Sequence, residues 1–78
     1  MKMPDYESEL RQTSEHIEAW ERAIAYQINV LIQLRADGLS TAAAQRFLDT
    51  MREALETMKR HHSLIEAEIQ QERAAGSD

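Results

Sequence analysis

The sequence predicts an all-α fold: an antiparallel two-helix hairpin, dimerising into a four-helix bundle. Three observations predict it. Neither Gly nor Pro occurs between Asp5 and Asp37, or again between Thr41 and Ala75. Within both stretches, mainly apolar side chains return every seven residues with a second row three or four positions away, as on one face of a helix. The two rows also match each other when the chain is folded back at Asp37-Gly38.

Taken in order, Pro4 and Asp5 suit a helix start, where a missing N–H costs nothing and a carboxylate is favoured. The first helix is expected over about residues 5–36. Asp37-Gly38 is its stop, because Gly38 can take the left-handed conformation beyond the last turn. The turn spans 37–40. Ser40 or Thr41 can cap the second helix, and Leu39 can staple onto Ala44. The second helix is expected over about 41–75, with residues 76–78 as a tail. Residues 1–78 form a single hairpin domain, since so short a link makes the helices antiparallel.

The seams are explicit. Helix 1 carries Leu10, Ile17, Ile24 and Leu31 in one row and Thr13, Trp20, Gln27 and Leu34 in the other. Helix 2 carries Leu48, Leu55, His62 and Ile69, then Ala44, Met51, Met58 and Ile65. Facing partners are Leu34 with Ala44, Leu31 with Leu48, Gln27 with Met51, and Ile24 with Leu55. Trp20 with Met58, Ile17 with His62, Thr13 with Ile65, and Leu10 with Ile69 continue without a slip. A buried amide such as Gln27 fixes register in coiled coils, and a water-facing rotamer is the alternative.

The two flanks of this seam differ. One pairs Glu21 with Lys59 and Ile28 with Arg52, with Ser14 and Glu66 further along, and reads as solvated. The other pairs Val30 with Phe47 and Ala23 with Ala54, with Ala19, Tyr26, Ala43 and Leu64 beside them. A hairpin has one seam and no second layer, and a domain this small normally needs another staple. With no cysteine in the chain, that staple is not a disulfide. The expectation is a homodimer whose interface is Ala19, Ala23, Tyr26, Val30, Ala43, Phe47 and Ala54, with small residues admitting close approach and the aromatics supplying area.

Composition narrows the function classes. A net charge of -5, from 14 acidic against 9 basic residues, argues against a nucleic-acid partner. No apolar run approaches a membrane span and the first residues lack the apolar stretch of a secretory signal, so the expected compartment is the cytoplasm. No Gly-rich phosphate loop, paired carboxylates or Ser/His/Asp arrangement is evident, and the arginines fall on outer or flanking positions. No enzyme activity and no cofactor are expected.

Histidine is the one residue type that could carry chemistry. His16 and His61 are expected to face each other, with Glu9 and Glu68 one layer along the same edge. Imidazoles and carboxylates on one edge could hold a divalent metal, though the Glu-x-x-His spacing of di-iron bundles is absent. The plainer reading, polar partners at the distal end of the hairpin, is preferred. A phosphoacceptor role for His61-His62-Ser63 lacks the acidic residue directly after a histidine and the downstream Pro.

At Glu21-Arg22-Ala23-Ile24, Gln27, Leu34, Asp37-Gly38, Thr41, Ala44 and Leu48, the chain resembles a set of small bacterial proteins common in alpha-proteobacteria. Those have a histidine ahead of a Glu-Arg pair, an Asp-Gly turn followed by Thr, and a second histidine near the matching end of helix 2. His16 and His61 occupy the corresponding positions. The resemblance covers about residues 16–65 and implies a helical hairpin without implying an activity. The doubled His61-His62 and Trp20 in the seam depart from the pattern. The expected role is a structural or protein-interaction module that self-associates. The alternative is a regulatory subunit docking on another helical protein, and less favoured still is a His/Glu metal-binding bundle.

Overall fold

A computed structural model describes residues 5–76 as two helices, α1 (Tyr6–Ala36) and α2 (Ala42–Ala75), packed antiparallel. Pro4 and the tail residues Ser77 and Asp78 lie outside the described residues. Asp5 is the cap of α1: its carboxylate accepts the Ser8 N–H at 3.1 Å, satisfying one of the donors a helix start leaves over.

The turn is a Schellman motif. Gly38 sits at φ +70°, its N–H donates to the Arg35 carbonyl at 3.1 Å, and the Leu39 N–H donates to the Leu34 carbonyl at 2.9 Å. At the start of α2, Thr41 occupies the cap position but its hydroxyl makes no capping bond. The nearer hydroxyl belongs to Ser40, whose oxygen accepts the Ala42 N–H at 3.5 Å. Leu39 is largely exposed, so the staple expected over Ala44 does not close.

All sixteen seam positions are buried or half-buried. The fully buried ones are Thr13, Ile24, Leu31, Leu48, Met51 and Ile65. Ile24, Leu31, Leu48 and Met51 form the central cluster, with Trp20, Ala44 and Leu55 packed against it. Thr13 is buried without penalty because its hydroxyl donates to the Glu9 carbonyl at 2.8 Å. Gln27 turns into the structure, and its amide donates to the backbone carbonyl of Ala44 at 3.1 Å. The molecule measures 64 × 20 × 15 Å, a rod one helix thick.

Candidate functional site: one apolar groove and one polar relay

The flank carrying the expected interface holds a groove of 550 Å³ lined by Ala19, Trp20, Ala23, Tyr26, Gln27, Phe47 and Met51. Its cause is local. Ala19 and Ala23 leave a gap in the wall of α1, while Trp20, Gln27 and Met51 form the seam side and Tyr26 and Phe47 stand at the rim. Tyr26 is 71% exposed and Phe47 56% exposed. Of the expected interface residues, Ala19, Ala23, Tyr26 and Phe47 line the groove. Val30 and Ala54 are half-buried at the seam edge, and Ala43 is exposed nearer the turn. The seven-residue pattern assigns Trp20, Gln27 and Met51 to the seam alone; a gap made by two alanines one turn apart is the signal that their outward edges join the groove.

The histidine edge is arranged differently from the expectation. His61 approaches Glu9 at 3.6 Å rather than facing His16, which is exposed. A carboxylate is the better partner for an imidazole, and both side chains are long enough to cross the register offset. Glu68 is exposed. Among the described residues, no group of three or more His, Asp or Glu converges in a way that could hold a metal ion. At the distal end Arg73 meets Glu7 at 3.1 Å, both well exposed.

On the opposite flank the structure assembles a hydrogen-bonded chain that the sequence did not reveal. The Ser14 hydroxyl lies 2.9 Å from His62 Nε2, and His62 Nδ1 lies 2.8 Å from Glu66 Oε1. Ser14 and His62 are half-buried, while the Glu66 carboxylate is half-exposed. This corrects the expectation that no serine, histidine and acid are combined. Glu66 follows His62 by four residues, so the two share a face of α2. Ser14 comes from α1, one position beyond the buried Thr13. The register sets His62 opposite Ile17, but its ring reaches Ser14 on the solvated flank.

Among the described residues, no helix is long and apolar enough to cross a membrane. Compared with known proteins, the chain matches no family model, no curated protein and no solved structure.

Proposed function

We propose that the chain is a protein-interaction module that self-associates through the apolar groove, giving a homodimeric four-helix bundle in the cytoplasm. The observation that carries this reading is the groove itself, rimmed by two largely uncovered aromatic side chains on a rod with no second layer. Surface area supports it. A compact protein of 9.0 kDa exposes about 4,900 Å² by the usual scaling with mass. This chain exposes 6221 Å². The surplus is of the size that one partner contributes to a stable dimer, on the order of 1,000 Å².

A second copy is the favoured occupant because the same face offers both a gap and something to fill it. Ala19 and Ala23 make the gap, and Phe47 and Tyr26 project beside it, as a self-complementary two-fold contact requires. The resemblance to small alpha-proteobacterial hairpins belongs with this reading and adds no activity to it. The test is Ala23→Glu combined with Ala54→Glu, which puts carboxylates into the contact. Sedimentation is expected to show the mass halved, and an unaltered mass refutes the proposal.

A second reading draws on a different surface. Ile28 and Ile32, one turn apart on α1, and Leu39 in the turn are all exposed away from the groove. They fit a regulatory subunit that docks its turn end on another helical protein. Recovery of a stoichiometric second protein from the native cell, lost on Ile32→Glu, is the result expected of that reading.

A further inference from the structure

We infer that Ser14, His62 and Glu66 form a proton relay that makes the Ser14 hydroxyl a nucleophile toward activated acyl donors such as aryl esters and thioesters. This goes beyond the interaction role and stands on a different flank of the hairpin. The order of atoms carries it. Serine oxygen meets His62 Nε2 at 2.9 Å, and the other ring nitrogen, Nδ1, meets a carboxylate oxygen at 2.8 Å.

An ionised carboxylate only accepts hydrogen bonds, so the proton of the neutral ring belongs on Nδ1. That leaves the Nε2 lone pair facing Ser14, whose hydroxyl then donates to it. A base oriented by an acid and bonded to a hydroxyl is the arrangement by which serine nucleophiles are activated. Ser14 is unusual within its own molecule in this respect. Thr13, Thr50 and Thr57 each turn their hydroxyl back to the carbonyl four residues earlier, as short hydroxyl side chains in helices commonly do. Ser14 instead reaches across the hairpin to a ring nitrogen of α2.

The chemistry balances without a co-reactant other than water. Ser14 Oγ bonds to the acyl carbon while its proton passes to Nε2. The bond to the leaving group breaks with its electron pair, and the departing phenol or thiol takes that proton. Water then repeats the sequence on the acyl-serine: its proton goes to Nε2, its oxygen bonds to the acyl carbon, and Ser14 leaves and recovers the proton. The surroundings set the substrate class. Ser14 lies inside α1, where backbone N–H groups are engaged in the helix ladder, so none is directed at a developing oxyanion. Donors with good leaving groups need that help least, which points to aryl esters and thioesters rather than amides.

The experiment exposes the full chain to p-nitrophenyl acetate, follows p-nitrophenolate release, and maps the acetyl group by peptide mass spectrometry. The expected result is an acetyl group on Ser14. Release should fall to background in Ser14→Ala and by about 100-fold or more in His62→Gln, the usual worth of a general base. Should His62→Gln unfold, Glu66→Gln provides the readout, because that carboxylate is half-exposed and outside the core. It should lower acylation while circular dichroism stays unchanged. It should also shift the neutral His62 ring away from the Nδ1-protonated tautomer, as read from ¹⁵N chemical shifts. Acetyl groups found only on histidine, lysine or the terminal amine overturn the inference. So does a Ser14→Ala chain that releases p-nitrophenolate at the parent rate.

Discussion

Phe47 and Leu48 are neighbours in sequence with opposite fates, and substituting each by alanine separates association from folding. Leu48 is 3% exposed inside the central cluster, whereas Phe47 is 56% exposed at the groove rim. A phenylalanine offers roughly 200 Å² of surface, so about 110 Å² of Phe47 is left for a partner to cover. At about 25 cal/mol per Å², that burial would stabilise the proposed dimer by about 3 kcal/mol per protomer, which a two-fold contact contains twice. Alanine retains part of the area, which leaves a loss of about 4 kcal/mol, or roughly a thousandfold in dissociation constant. Within the protomer Phe47 is already partly covered, so folding loses a smaller share, which the better helix propensity of alanine partly offsets. Sedimentation equilibrium over a dilution series should therefore show the Phe47→Ala midpoint about a thousandfold higher in concentration. Leu48→Ala should cost about 2–5 kcal/mol by cavity formation and lower helix content at every concentration. A parent chain that sediments at 9.0 kDa throughout, or a midpoint unmoved by Phe47→Ala, refutes the reasoning.

Two further outcomes test the turn and the seam. Gly38→Ala should destabilise by about 1–2 kcal/mol, because φ +70° is costly for a side chain while a Cβ there meets nothing within 4 Å; Gly38→Asn should cost less, and denaturant midpoints rank the two. Gln27→Leu removes the amide bonded to the Ala44 carbonyl, which keeps its place in the helix ladder. The thermal midpoint should rise while the amide NMR spectrum loses its single set of peaks, as expected when a register-fixing polar group is replaced by an apolar one.

The helices, the turn and the whole seam were legible because each depends on backbone periodicity and on one glycine. Sixteen positions chosen by a seven-residue repeat are all at least half-buried, since a helix cannot present them anywhere else. The exposed aromatic flank was legible for the same reason. The partners of long polar side chains were not. His61 meets Glu9 instead of His16, Gln27 reaches Ala44 instead of lying level with Met51, and His62 reaches Ser14 past Ile17. Each of these side chains spans more than one turn of its neighbour, so register narrows the partner to several residues and local charge and donor geometry choose among them. The cap of α2 was legible only to within two adjacent hydroxyls: Ser40 accepts the Ala42 N–H, while Thr41 makes no capping bond.

The tight reversal at Asp37-Gly38 also governs how the chain finds its shape. Leu34 and Ala44 are ten positions apart along the chain, while Glu7 and Arg73 are separated by 66. Once the reversal forms, each successive layer closes only a slightly larger loop than the last, and loop closure grows costlier slowly with length. The rod can therefore assemble like a zip drawn from one end. Residues beside the bend set the speed of that closing, and residues at the far tip govern how readily it reopens.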